Sequence, residues 1–173
     1  MQAAKMLREY HDAVQDFTPP SDAEWRIGKI DKKKGQIIRH GDLGPWNTLW
    51  QGNTLTGLID WDLAEPGERV TDLAQMAYYF APLRCEEGWQ KAGFSERPDF
   101  KERLHILCAA YGDFKTDEVI AELLRWLDSE LRRVRELGQK GREPWASFLH
   151  QGDDAEIVAD MDWIKENQKA WGL

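Results

Sequence analysis

Cysteine and histidine are scarce in this chain, which has two cysteines and four histidines among its 173 residues. Cys85 and Cys108 form no CxxC pair, and the scattered histidines have no zinc-site spacing, so a disulfide or zinc scaffold is excluded. No apolar run approaches the roughly 20 residues of a membrane span, and the N-terminus shows charges where a signal peptide needs an apolar core. We expect reduced thiols, a cytoplasmic location and no membrane partner.

Positive charge is also in short supply. Lys and Arg number 23 against 31 Asp and Glu, which gives a net charge of −8. Nucleic-acid binding needs a basic face, so we expect no nucleic-acid partner, whereas metal ions or cationic small molecules suit an acidic chain. Hydrophobic residues make up 42% of the sequence, which is enough for a core, and the length predicts a single domain over residues 1–173.

The hydrophobic pattern predicts a mainly α protein with a small β-hairpin, an α+β fold. Ile37-Ile38 forms a short predicted strand, and strands at 48–50 and 54–59 are joined by a turn at Gly52-Asn53. Helical periodicity is found in five segments, namely residues 1–17, about 71–80, 97–112, 116–138 and from about 153 onward.

Helix-end signals accompany the last two helices. Thr116 is predicted to cap one helix and Gly138 to close it. Asp153 and Glu156 have capping-box spacing at the start of the final helix, in which Ile157, Met161, Ile164 and Trp171 are predicted to face the core.

Unusual polar residues cluster around the hairpin. The stretch HGDLGPWN (40–47) holds Asp42 and Asn47, and the second strand ends in LIDWD (58–62), which holds Asp60. The hairpin returns the chain past the first loop, so we expect these three side chains to converge. Carboxylate and amide oxygens suit Mg²⁺, and a remaining carboxylate, Asp42, can accept a proton from an attacking hydroxyl, as phosphoryl transfer requires.

HGDLGPWN, LIDWD and the following TDLAQMA together resemble the aminoglycoside phosphotransferase family, small-molecule kinases related to protein kinases and choline kinases. The resemblance implies that Asp42 is the catalytic base and that Asn47 and Asp60 are Mg²⁺ ligands. Asp62 is a further candidate for metal or substrate contact. His40 and Asp72 are implied to support the catalytic loop.

The resemblance also implies a protein kinase-like C-terminal lobe without its N-terminal lobe. Residues 1–17 correspond to the helix after the interlobe linker, 37–62 to the catalytic loop and metal-binding hairpin, and 71–173 to a helical substrate-side subdomain. The expected activity is Mg-ATP-dependent transfer of the γ-phosphoryl group to a hydroxyl of an aminoglycoside-, choline- or sugar-like molecule.

The sequence contains no glycine-rich loop before a strand pair, no Val-Ala-x-Lys strand and no Walker motif. Positioning of ATP supplies most of this catalysis, so we expect little or no activity from these residues alone. We expect the N-terminal lobe to have been lost, to be missing from a truncated product, or to be supplied by another chain.

Alternative functions stay open for the whole chain, and alternative roles stay open for single residues. The chain could be a non-catalytic scaffold that pairs with another chain, or a phosphohydrolase with a two-metal cluster of Asp42, Asp60 and Asp62. Asp42 and Asn47 could serve turn chemistry alone, and Asp62 could be a solvated acid. Asp72 could complement a helix dipole, and His40 could be a packed imidazole with no proton-transfer role.

Overall fold

Helices surround two small antiparallel sheets in the computed structural model, which describes residues 1–26 and 28–171. The α-helices of these residues are α1 (Gln2–Ala13), α2 (Arg69–Phe80), α3 (Glu86–Lys91), α4 (Phe100–Tyr111), α5 (Thr116–Gln139), α6 (Trp145–Gln151) and α7 (Asp153–Asn167). The strands are β1 (Ile37–Arg39), β2 (Thr48–Gln51), β3 (Thr54–Leu58) and β4 (Glu65–Gly67). The predicted fold class, mainly α with a small β region, is confirmed.

The predicted hairpin is confirmed as the antiparallel pair β2–β3. Thr48 lies opposite Leu58 and Gln51 opposite Thr54, so Gly52 and its neighbour form the two-residue turn. Gly52 has φ 59°, a left-handed conformation that such hairpin turns require.

A second sheet was missed by the sequence prediction. Strand β1 pairs with β4, and Ile38 lies opposite Pro66, whereas the sequence pattern predicts no strand at residues 65–67. Glu-Pro-Gly has none of the alternation that marks a strand, and it becomes one because the buried β1 needs partners for its backbone groups. This pairing brings the chain after the hairpin back to the start of HGDLGPWN.

Helix α1 ends at Ala13, whereas periodicity predicted a helix to Phe17. Val14 forms the C-cap, and the Phe17 side chain is 50% exposed. Phe17 therefore contributes no core contact that would extend the helix beyond its last buried residue, His11.

The predicted span of α5, residues 116–138, agrees with the structure to within one residue, but the predicted end residues do not cap the helix. Lys115, not Thr116, is the N-cap, and its N–H donates to the Glu118 carboxylate at 2.8 Å. The helix continues through Gly138, where a β-carbon would lie 2.8 Å from the Trp145 carbonyl oxygen. Gly138 thus permits close packing of α6 on α5 and does not end the helix.

The start of α7 also differs from the prediction. Gly152, with φ 89°, is the N-cap, and Asp153 is the first helical residue. The turn between α6 and α7 needs a left-handed residue, and this requirement overrides the capping-box spacing of Asp153 and Glu156. The short helices α3 and α6 were not predicted individually, since each has too few residues to show a helical period.

The core lies between α2 and α5 and extends to both ends of the described chain. The helical periodicity of residues 116–138 predicts an apolar stripe of six residues on α5. Four of them are buried, Ile120, Leu123, Leu127 and Val134, and two are partly buried, Leu124 and Leu131. The predicted inward residues of the final segment also pack there: Ile164 and Trp171 are buried, and Ile157 and Met161 are partly buried against the core. None of the helices in the described residues is long and apolar enough to cross a membrane.

Candidate active site

One face of α2 holds the loop that carries Asp42. The Asp72 carboxylate accepts the His40 N–H at 2.7 Å and the Gly41 N–H at 3.3 Å. Gln75 donates to the Gly41 carbonyl at 3.0 Å and accepts the Leu43 N–H at 3.0 Å. Residues 72 and 75 are three apart, so they lie on the same face of the helix. Two side chains therefore fix four backbone groups of the loop.

Gly41 brings a second segment against this loop. Its φ is 83°, and a β-carbon there would lie 2.0 Å from the Leu63 carbonyl oxygen. Only glycine permits both the left-handed backbone and this approach. The loop and the residues that follow Asp60 are consequently in direct contact.

Asn47 is tied to Asp42. Its side-chain NH₂ donates to the Asp42 carbonyl and to the Asp42 carboxylate, both at 2.8 Å, and the residue is only 4% exposed. These bonds occupy the amide nitrogen and fix its orientation, which leaves the amide oxygen as an acceptor. The structure thus brings together the predicted base and one predicted metal ligand.

His40 connects the loop to the end of the hairpin. Its Nδ1 accepts the Asp42 N–H at 3.2 Å, and its Nε2 donates to the Ile59 carbonyl at 3.0 Å, which defines the tautomer. The ring is fully buried and lies 4.3 Å from the Trp61 ring, centroid to centroid. These contacts favour a packed, hydrogen-bonded imidazole. Its role as structural support in catalysis stays a prediction.

Asp60 lies at the end of the hairpin and follows Ile59, whose backbone contacts Asn47. The N–H of its neighbour Ile59 donates to the Asn47 carbonyl at 3.0 Å, and the Asp60 side chain is exposed. Asp60 has φ 62°, a left-handed backbone that is uncommon outside glycine and tends to occur at functional sites. The hairpin end is therefore bent at the predicted ligand.

The donor set fits Mg²⁺. Asn47 offers an amide oxygen and Asp60 a carboxylate, the hard oxygen ligands that this ion takes together with substrate phosphates and water. Asp62 is exposed and faces Arg26 at 3.9 Å. Within residues 1–26 and 28–171, no three His, Cys, Asp or Glu side chains gather in a metal-binding group. A two-metal cluster of Asp42, Asp60 and Asp62 is therefore not formed.

Asp72 is itself held by residues that sequence reasoning missed. His11 Nε2 lies 3.2 Å from its carboxylate, and His11 Nδ1 lies 2.7 Å from the Tyr111 hydroxyl. Burial alone would raise the pKa of Asp72, but the hydrogen bond and charge of His11, the charge of Arg39 and the backbone donors outweigh it and lower the pKa.

A cavity of about 380 Å³ opens beside Asp42. Helices α2, α5, α6 and α7 form its walls, so its lining comes from distant parts of the chain. Four carboxylates and one guanidinium line it, together with aromatic rings: Asp42, Glu130, Asp153, Glu156, Arg84, Trp46, Tyr78, Tyr79, Trp126, Trp145 and Phe148. The cavity is large enough for a small organic molecule.

A chain of ion pairs runs from the cavity wall to the start of the loop that carries Asp42. Glu130 pairs with Arg133 at 3.0 Å, and Arg133 also reaches Glu65 at 3.3 Å. Glu65 pairs with Arg39, which directly precedes His40. Burial raises the pKa of Glu130, and the charge of Arg133 opposes that rise.

Some of these site residues could have been recognised from the sequence, and others could not. Gln75 could have been found, because it lies three positions after Asp72 and so shares its helix face. His11 and Tyr111 are 100 residues apart, and neither belongs to a local motif. Glu65 and Arg133 are likewise brought together only by the fold.

Comparisons with known proteins identify the family of this chain. A profile of the phosphotransferase enzyme family matches residues 2–137, and the chain belongs to this family. The trifolitoxin immunity protein of Rhizobium leguminosarum bv. trifolii is 32% identical over 176 aligned residues, which cover 99% of this chain. The chain spans 64% of that relative's length. No solved structure matches the chain, so the kinase-like C-terminal lobe stays a prediction.

Proposed function

We propose that this protein transfers the γ-phosphoryl group of Mg-ATP to a hydroxyl of a small molecule bound in the cavity beside Asp42. The main support is the tether between Asn47 and Asp42 at the cavity wall. It holds a carboxylate against the space an acceptor would occupy, next to an amide oxygen suited to Mg²⁺.

In this proposal Asp42 accepts the proton of the acceptor hydroxyl and orients its oxygen. Asn47 and Asp60 hold Mg²⁺, which when bound neutralises charge on the phosphates. His40 and Asp72 keep Asp42 in place through the hydrogen bonds of the loop. Asp62, exposed beside Arg26, is a further candidate contact for metal or substrate.

A transfer assay tests the role of Asp42. With Mg-ATP and a panel of hydroxylated acceptors, Asp42→Asn should lower turnover by about 10²–10⁴-fold while nucleotide affinity stays nearly the same, as for a lost general base. Phosphorus NMR of the product measures the transfer. Asp128→Asn, a charge removal on the surface of α5, is the control and should retain turnover. Equal turnover in the Asp42 variant would remove this residue from the mechanism.

The relative's name adds a class of acceptor to the panel. That protein is named for immunity to trifolitoxin. Phosphorylation of a toxin is one chemical route to immunity, so we propose that toxins with accessible hydroxyl groups be included among the acceptors.

We also propose that these 173 residues alone turn over weakly or not at all, and that a β-rich lobe restores the activity. The sequence holds no glycine-rich phosphate loop to cover ATP. A robust rate from the purified chain would contradict this part of the proposal.

A scaffold role is the second candidate, favoured by apolar exposure on the hairpin. The exposed fractions are 48% for Leu49, 50% for Trp50 and 39% for Ile59. A neighbouring polypeptide would gain free energy by covering these side chains. Sedimentation at several concentrations, with Trp50→Ser as the matched variant, measures association, and a scaffold predicts association without phosphoryl transfer.

A further inference from the structure

The connection between α1 and β1 is long and irregular. Its described residues form no helix or strand, although α1 ends at Ala13 and β1 begins only at Ile37. Connections of more than about 12–15 residues are uncommon in compact domains, and they usually either carry a function or lack order. Hydrogen bonds hold this one in place: the Trp25 indole N–H donates to the Ile30 carbonyl at 3.0 Å, and Trp25 and Gly28 exchange backbone hydrogen bonds. This order favours a function.

Positive charge is concentrated in the second half of this connection. Residues 28–36 hold four lysines and one carboxylate, although the net charge of the whole chain is −8. These residues are Lys29, Lys32, Lys33, Lys34 and Asp31. In the part of the chain that the structure describes, none of the four lysines takes part in an ion pair, and Lys29, Lys33 and Lys34 are exposed. Their charges are therefore available to an anionic partner.

Exposed apolar side chains accompany the lysines. Ile30, between Lys29 and Lys32 in the sequence, is 36% exposed, and Phe17 is 50% exposed. Lys32 Nζ donates to the Gln15 carbonyl at 3.3 Å, which brings the segment that carries Phe17 next to the lysines. We call the four lysines together with Ile30 and Phe17 the basic apolar loop. It combines positive charge with exposed hydrocarbon.

We propose that the basic apolar loop binds the surface of a membrane that contains anionic lipids. The lysine ammonium groups pair with the phosphates of the lipid head groups, and Ile30 and Phe17 enter the boundary between head groups and acyl chains. Clusters of about four to eight basic residues are the size that recognises such surfaces. Binding to a surface needs no membrane-spanning helix. The proposal therefore replaces the expectation of no membrane partner, which followed from the absence of a membrane span.

A nucleic acid fits this loop less well than a lipid surface does. Specific protein–DNA interfaces bury about 1,000–2,500 Å² of strongly positive protein surface. Here the first half of the same connection is acidic, with Asp16, Asp22 and Glu24, and the chain as a whole is acidic. A strand of nucleic acid that extended beyond the lysines would therefore meet like charge, whereas a lipid surface contacts the basic apolar loop alone.

Co-sedimentation of the purified chain with vesicles tests the proposal without nucleotide or turnover, so the result is independent of the proposed phosphoryl transfer. The vesicles contain phosphatidylcholine alone or an equal mixture with phosphatidylglycerol. We expect binding to the anionic vesicles only, strong at an ionic strength of about 0.1 M and lost at about 1 M, where salt screens the lysines. Equal binding to both kinds of vesicle, or no binding to the anionic ones, would overturn the proposal.

Charge-matched variants locate the binding surface. Replacing three exposed lysines of the loop by glutamine should lower the vesicle partition coefficient at least about tenfold, because each charge contributes separately. These substitutions are Lys29→Gln, Lys33→Gln and Lys34→Gln. The control removes the same charge elsewhere on the surface and should keep the partition coefficient. Its substitutions are Lys5→Gln, Lys101→Gln and Lys169→Gln, at lysines that are also exposed.

Phe17→Ser should lower the partition coefficient about threefold, since less apolar surface is buried. Far-UV circular dichroism checks that each variant folds. Full vesicle binding in the loop variant or in Phe17→Ser, or equal losses in the loop variant and its control, would contradict the proposal. Polyuridylic acid and glycerol phosphate, each at the phosphate concentration of the vesicles, should not displace the protein. Displacement by the first would assign the loop to nucleic acid, and displacement by the second to free phosphate, and either would overturn the assignment to membranes.

Discussion

A methyl group at position 41 would lie 2.0 Å from the Leu63 carbonyl oxygen, on a backbone whose φ of 83° already disfavours side chains. Gly41→Ala should therefore lower the free energy of unfolding by about 2–4 kcal/mol, from left-handed strain plus overpacking. Urea denaturation followed by circular dichroism measures this.

Gly35 provides a matched control for Gly41. Its φ is 88°, but a β-carbon there meets nothing within 4 Å. Gly35→Ala should cost about 1–2 kcal/mol from backbone conformation alone. If the two variants lose equal stability, the contact with Leu63 does not contribute to the difference in the free energy of unfolding.

Asp60 combines a carboxylate with a left-handed backbone conformation. A variant that tests the carboxylate alone must therefore tolerate the same conformation. Asn tolerates this conformation better than Ala does, which makes Asp60→Asn the informative variant. Calorimetric titration with ATP should show Mg²⁺-dependent binding in the wild type and a loss of that dependence in Asp60→Asn. Mg²⁺-dependent binding that survives the substitution would place the metal elsewhere.

At the scale of elements, α2 holds the loop that carries Asp42 through Asp72, and this contact should depend on pH. The folded-state pKa of Asp72 lies below its ordinary value of 3.8. As the pH falls through 3.8, the unfolded chain takes up the proton first, so the stabilisation is complete above this value and is lost progressively below it.

Asp72→Asn removes this stabilisation at every pH. We expect its free energy of unfolding at pH 6 to fall by about 3 kcal/mol, since the partners of a buried charge lose their acceptor. Its stability should also decline less steeply than that of the wild type as the pH drops from about 5 to 3. Urea denaturation across this range measures both, with Asp128→Asn as the control. Parallel acid profiles would show that Asp72 has no such linkage.

The elements that could be predicted are those encoded by local pattern. The hairpin was found because Gly-Asn separates two apolar runs, and α5 because its apolar stripe is long. Strand β4 could not be found, since Glu65–Gly67 becomes a strand only by pairing with β1. The site residues divide in the same way into those encoded locally and those brought together by the fold. Asp42, Asn47 and Asp60 lie in two short motifs that the sequence shows directly. Glu130 faces Asp42 only because α5 packs on α2.

At the scale of the whole molecule, residues 1–26 and 28–171 share a hydrophobic core that includes both Leu7 of α1 and Trp171. We expect the 173 residues to unfold as one cooperative unit, in agreement with the predicted single domain. Tryptophan fluorescence and far-UV circular dichroism should therefore give coincident urea transitions. Two separated transitions would mean that the helical part after residue 71 is an independent domain.

The ion pairs from Glu130 through Arg133 and Glu65 to Arg39 also constrain how this protein can change over generations. Both arginines contact Glu65, so its loss would leave Arg39 without the carboxylate that it pairs with and would take one of two carboxylates from Arg133. Replacement of Glu130 leaves Arg133 paired with Glu65, so this part of the cavity wall can change without a change at Arg39. Position 130 is therefore expected to vary more among descendants of this protein than position 65.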